Sequence, residues 1–168
     1  MTDIERWQQT NDVYLSRALH WLRLRLTQRI QVPPPALPSE PPPEQWWNRL
    51  FKSEPPAEPP PASPSVELVS EDSLEAAAAA MAAAANTTPT PALIQLAQQF
   101  SLSEFEQQVL LLCTAMELDT RIASLCARVQ GMPEPGYPTF ALALSLFDQP
   151  AWDVMSPERP LRFWRMVE

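Results

Sequence analysis

The chain has 168 residues, 21 of them proline and two glycine, with one histidine, two cysteines and a formal net charge of −8. So much proline, together with an alanine tract, leaves a core-forming portion smaller than a typical domain of roughly 100–150 residues, and one modest folded unit with appendages is expected. One histidine and two cysteines argue against a tetrahedral zinc site, and no basic leader with an apolar core or long apolar run is present, so a soluble cytoplasmic protein is expected.

Residues 1–31 read as one long amphipathic helix, from Asp3 to about Gln31, unbroken by glycine or proline. Trp7, Tyr14, Leu15, Ala18, Leu22, Arg25 and Arg29 fall near one side, and Leu19, Leu24, Leu26 and Ile30 spread the apolar surface. At about 1.5 Å per residue it spans ~40 Å, more than a small domain needs. Two destinations are open: pairing with a second copy, giving a homo-oligomer, or folding back along the C-terminal helices. His20 has no cysteine, serine or carboxylate cluster to work with and is given no role.

Residues 32–64 contain thirteen of the prolines and read as an acidic, extended linker. Polyproline II geometry, at about 3.1 Å per residue, makes it a semi-rigid spacer. Within it, residues 44–52 form an aromatic island containing Trp46, Trp47, Leu50 and Phe51. Trp47, Leu50 and Phe51 can share a helical face, which suits a short motif that docks on a protein partner; packing against the long helix is the other reading. Any P-x-x-P ligand pattern here carries little information, because proline-rich stretches produce it by chance.

Residues 65–89 are an alanine-rich helix or linker, with a helix over Ser73–Ala85 and Ser70 or Ser73 as its cap. Residues 90–168 then form a helical domain. Thr90 before Pro91 suggests a cap with proline at the first helical position, and Leu93, Leu96, Ala97 and Phe100 give an amphipathic stripe. Ser103 and Glu106 make an S-x-x-E capping box. Behind it Phe105, Val109, Leu112, Cys113 and Met116 recur at helical spacing, widened by Leu110 and Leu111. Asp119 is placed to cap a second helix with Ile122, Leu125, Cys126 and Val129 on its apolar face, and Gly131 sits where a left-handed residue ends it. After Pro133, Pro135, Gly136 and Pro138, Thr139 opens a third helix with Phe140, Ala143, Leu144 and Phe147 on one side. Three short helices in this order predict a helix-turn-helix core.

The chemistry is sparse. With glycine only at 131 and 136 and one lysine, Lys52, no phosphate-cradling loop can form, and no G-x-S-x-G, H-E-x-x-H or C-x-x-C occurs. No catalytic, cofactor-binding or metal-binding residue is assigned, and the chain itself is expected not to be an enzyme. Cys113 and Cys126 read as reduced, buried thiols. Glu117 and Asp119 read as turn and cap residues. A helix-turn-helix invites a DNA reading, but the third helix has no basic residue, and residues 86–168 hold nine acids against five bases, which disfavours phosphate neutralisation. The last segment sets Trp152, Phe163 and Trp164 beside Arg159, Arg162 and Arg165, which read as surface charges at a domain boundary.

Several ordered blocks carry a likeness to a known family: Leu102-Ser103-Glu104-Phe105-Glu106, Leu110-Leu111-Leu112-Cys113, Glu117-Leu118-Asp119, Pro138-Thr139-Phe140-Ala141-Leu142-Ala143, and Ser156-Pro157 with Pro160-Leu161-Arg162 and Trp164-Arg165. They resemble the variant winged-helix region near the N-terminus of certain bacterial AAA-type ATPases. The likeness covers about residues 90–168, and more loosely the Tyr14-Leu15 and Trp21-Leu22-Arg23 pattern. It implies a mainly α fold: a long N-terminal helix, a proline-rich linker, and a helical bundle forming the first part of a winged-helix-like domain, truncated at its C-terminus before a β-wing. It implies a non-catalytic region that recognises proteins or supports assembly for an ATP-driven motor, with ATP and Mg belonging to that motor, and Arg162 and Arg165 available to contact it. Relatives of this kind accompany contractile injection systems in some bacteria. The alternative is a free-standing winged-helix scaffold or transcriptional regulator with a proline-rich interaction arm.

Overall fold

The computed structural model describes residues 2–31, 69–133 and 135–167; the proline-rich segment and its aromatic island lie outside the described residues. Those described are mainly helical, without strands: α1 (Asp3–Gln31), α2 (Glu71–Ala85), α3 (Ala92–Gln99), α4 (Glu104–Leu118), α5 (Arg121–Gln130), α6 (Phe140–Leu146), a 3-10 turn (Trp152–Met155) and α7 (Pro160–Phe163). None of these helices is long and apolar enough to cross a membrane.

α1 opens on a reciprocal cap. The Glu5 amide donates to Thr2 Oγ1 at 3.2 Å and the Thr2 amide donates to Glu5 Oε2 at 2.7 Å, a T-x-x-E box of the same kind as Ser103/Glu106. Its buried stripe is Tyr14, Ala18, Trp21, Leu22 and Leu26. Within the chain α1 folds back along the other helices, most extensively against α2 and α5, and also against α4 and α6.

α2 starts two residues before the expected Ser73, because the Ser70 hydroxyl accepts from the Ser73 amide at 3.2 Å and Glu71 and Asp72 fill the first turn, where negative charge suits the helix dipole. Leu74, Ala77 and Ala84 are its buried residues. A helix of alanines buries little area per residue, but it costs almost no side-chain entropy and lets two backbones approach closely. α1 supplies the bulk that α2 lacks.

The centre of the core is aromatic. Trp21 of α1 stacks on Phe147 with ring centroids 6.1 Å apart and planes 10° from parallel, and Phe105 of α4 presents its edge to Phe140 and Phe147, both favoured ring arrangements. This cluster turns two of the expected helical faces. In α4 the buried apolar positions are Phe105, Val109, Leu111, Leu112 and Ala115, with Cys113 and Met116 half-buried, because α1 and α3 cover a flank that a single stripe would leave to solvent. In α6 Leu142, Ala143 and Leu146 are buried in place of Leu144. The helix stops at Leu146, and Phe147 turns extended, which brings its ring to Trp21.

Helix ends follow the expected chemistry at three places. The Ser103/Glu106 box is present in both directions. Gly131 closes α5 with φ 61°, and the Met132 amide reaches Ala127 O at 2.9 Å, a left-handed cap that other residues adopt only with strain. Thr139 Oγ1 accepts from the Leu142 amide at 3.1 Å. At Gly136 an added Cβ would come within 2.5 Å of the Ala127 amide nitrogen, so the connector lies directly against the backbone of α5.

α3 departs from the expectation. Pro91 takes the cap position and makes no side-chain cap; instead the Ala92 amide donates to Asn11 Oδ1 at 3.0 Å and Trp7 Nε1 donates to Thr90 O at 3.2 Å. A residue of α1, 81 positions earlier, caps α3. We predict that Trp21→Ala lowers unfolding free energy by about 3–5 kcal/mol, whereas Asn11→Ala costs about 0.5–2 kcal/mol; urea denaturation of both variants checks the two values, and a Trp21→Ala loss below 1 kcal/mol would remove the aromatic cluster from the centre of the fold.

Candidate interaction surface

The turn between α4 and α5 is held by one carboxylate. Asp119 Oδ1 accepts from the Arg121 amide at 3.1 Å and from Arg121 Nε at 2.9 Å; Oδ2 accepts from Arg121 Nη2 at 3.0 Å and from Arg23 Nη1 of α1 at 2.8 Å. Asp119 thus serves the start of α5, as its position in the sequence suggested, while Thr120 makes no side-chain cap. The hydrogen bond from Arg121 is the main cause that lowers its carboxyl to about 2; burial opposes this, and Arg23 adds to it. Two of the cations near the helix-turn-helix are therefore engaged with one internal acid.

α6, the third helix of that core, has no charged residue at all. Its approach is fixed by Gln130, whose Nε2 donates to Cys126 O at 3.2 Å and to Tyr137 O at 2.9 Å. Both thiols are free; burial raises each, Cys126 to about 11, and a protonated thiol is a poor nucleophile.

The C-terminal segment is clamped to the start of α4. Glu106 is fully buried, and its Oε2 accepts both the Ser103 amide at 2.8 Å and Arg159 Nη2 at 3.0 Å. Arg159 also lies 3.6 Å from Asp153. This corrects the reading of Arg159 as a surface charge. A capping-box carboxylate with no access to water needs a cation, and the one that reaches it comes from 53 residues further on. Leu161 is fully buried and anchors α7, while Trp164 packs edge-on against Phe100 with centroids 5.3 Å apart and against Phe163 at 5.0 Å.

Around this clamp the surface is unusually apolar: Trp152 is 75% exposed, Phe163 63% and Trp164 55%. Of the residues expected to make protein contacts, Arg162 and Arg165 stand exposed on either side of Phe163 and Trp164, and among the described residues neither forms an ion pair. Arg165 has a left-handed backbone with φ 52°. Trp46, Trp47, Leu50 and Phe51 lie outside the described residues. Trp152, Phe163 and Trp164 were visible in the sequence as aromatics beside arginines; their exposure was not.

The family described as "Winged helix domain, variant" matches residues 9–153. The chain belongs to this winged-helix family. The match begins inside α1 and ends within the 3-10 turn, so it takes in most of the long helix as well as the helix-turn-helix core. No curated protein and no solved structure matches the chain.

Because the Asp119 carboxyl is lowered on folding, its stabilisation of this winged-helix domain is complete above its ordinary value near 3.8 and is lost as the pH falls through about 2. Asp119→Asn is therefore expected to lower the thermal midpoint at pH 6, with the gap to the parent narrowing steadily between pH 4 and pH 2; a constant gap would show that the carboxylate's charge contributes nothing. Arg159→Ala should cost about 1–3 kcal/mol by leaving a buried carboxylate without its cation, and should release the Phe100–Trp164 contact, read as a red shift of tryptophan emission before global unfolding.

Proposed function

We propose that this winged-helix domain is a non-catalytic protein-recognition or assembly module, and that it serves an AAA-type ATPase whose motor is separate from these residues. The observation that carries the protein-binding part is the distribution of charge and apolar surface. α6 offers no cation to a phosphate backbone, and Arg121 and Arg23 are spent on Asp119. Nucleic-acid binding depends on neutralising several phosphates, and the third helix supplies none of the cations for it. The C-terminal segment instead presents tryptophan and phenylalanine flanked by arginine, the residue types that dominate protein–protein contacts.

The ATPase context is supported by the ordered sequence blocks that resemble the N-terminal regions of such motors. ATP and Mg would belong to the motor, and Arg162 and Arg165 would be the side chains that meet it. A free-standing winged-helix scaffold or transcriptional regulator would use the same fold, and the charge distribution weighs against the regulator. Two measurements test the reading. Sequencing the gene past the codon for Glu168 should reveal a phosphate-binding loop followed by an acidic strand; a stop codon there would favour the free-standing scaffold. Fluorescence anisotropy with a generic DNA duplex at low salt should show no binding tighter than the ~10⁻⁴ M of weak non-specific contact; tight, steeply salt-dependent binding would overturn the protein-interaction reading.

A further inference from the structure

α2 meets the rest of the molecule chiefly through α1, and between α2 and α4 runs an open groove. Two adjoining cavities, of about 610 and 250 Å³, share Trp21, Met81, Ala82, Glu104 and Gln108 as lining. The larger lies within the roughly 300–1,000 Å³ range of ligand sites. Its floor is apolar, formed by Trp21, Leu74, Ala78 and Met81, and continues to Leu93 and Leu111 in the smaller cavity. The groove stays open because α2 contributes alanines at 78, 82 and 85. Its rim is acidic: Glu71, Glu75 and Glu104 stand on it, and Asp148 is already paired with Arg25.

We propose that the aromatic segment 44–52 of this same chain seats in that groove. Three observations select this occupant. First, the chain leaves α1 at Gln31 and rejoins at Val69, whose amide donates to Gln31 Oε1 at 3.0 Å; Gln28 and Glu71, close to those two points, line the groove. Second, the reach is ample. Twelve residues separate Gln31 from Glu44 and sixteen separate Lys52 from Val69, up to about 37 and 50 Å at an extended ~3.1 Å per residue, whereas α2 is about 22 Å long at 1.5 Å per residue. Third, the charges complement one another. Arg49 and Lys52 are the only bases between residues 32 and 68; one sits within and one directly after the run from Trp46 to Phe51, and against the single acid Glu44 they give the segment a net positive charge that suits an acidic rim around an apolar floor.

Tethering sets the affinity needed. A tethered segment experiences an effective concentration on the order of 1 mM, so the groove is filled in the intact chain only if the free segment binds with Kd below about 1 mM. The test uses the full 168-residue chain and its Trp47→Ala/Phe51→Ala variant, compared by amide and methyl NMR, with a synthetic peptide of residues 43–53 as probe. We expect signals of Ala78, Met81, Ala82 and Gln108 to move in the variant, to return when the peptide is added with Kd below about 1 mM, and to be indifferent to protein concentration, while Ile122 and Leu142 stay in place. A groove unchanged by the double substitution overturns the proposal. So does weaker peptide binding, or parent signals that revert to the variant's on dilution, which would make the occupant a second copy. Ala82→Trp, at an exposed position in the groove, is a second route: it should fill the site and shift the Trp47 indole signal of the otherwise unaltered chain to its position in free peptide, and no shift would count against docking.

Discussion

Everything in this domain leans on α1. Its stripe of Tyr14, Ala18, Trp21, Leu22 and Leu26 is the surface against which α2, α5, and parts of α4 and α6 are buried. No pair among the later helices approaches the extent of the α1–α2 contact. The dependence is polar as well as apolar. Gln31 meets the chain entering α2, Asn11 and Trp7 meet the entry to α3, Arg23 meets the α4–α5 turn, and Arg25 donates to Leu146 O at the end of α6 at 2.9 Å. Helix termini leave unpaired amides and carbonyls that must find partners when water is excluded. α1 supplies those partners along its length, so one helix sets both the packing and the satisfaction of the others.

Two buried carboxylates follow the same logic, and one of them, Glu106, does so away from α1. Asp119 and Glu106 each sit by a helix N-terminus, where negative charge is favoured, and each takes an arginine distant in sequence. Burying a carboxylate is tolerable only with such partners. Arg23 and Arg159 are thereby committed to internal acids. Exposed near the C-terminal segment are Trp152, Phe163 and Trp164, with Arg162 and Arg165 beside them.

Much of the helical plan was legible because it is local. The Ser103/Glu106 box, Gly131 and Thr139 act over three or four residues, and the chemistry of a cap is written in those residues alone. The long first helix was equally clear from the absence of breakers. Thr90 misled because a local cap competes with any distant acceptor that tertiary structure brings closer, and Asn11 won. Arg159 misled for the opposite reason: an arginine between proline and glutamate looks solvated until a buried carboxylate is placed beside it. The faces of α4 and α6 rotated by a position or two, since a stripe shows that a helix has a buried side but not how many neighbours share it.

The sequence by itself thus determined where most helices begin and end, that α1 is continuous, and that no catalytic motif of the recognised kinds is present, because backbone capping, proline geometry and motif spacing are short-range properties. Only the tertiary structure decided that α1 folds inward, that alanine-rich α2 belongs to its packing partners, that Arg159 completes a buried capping box, and that an open groove lies between α2 and α4. These are long-range outcomes, governed by which surfaces can exclude water together, and residues 80 or more positions apart carry no local mark of one another.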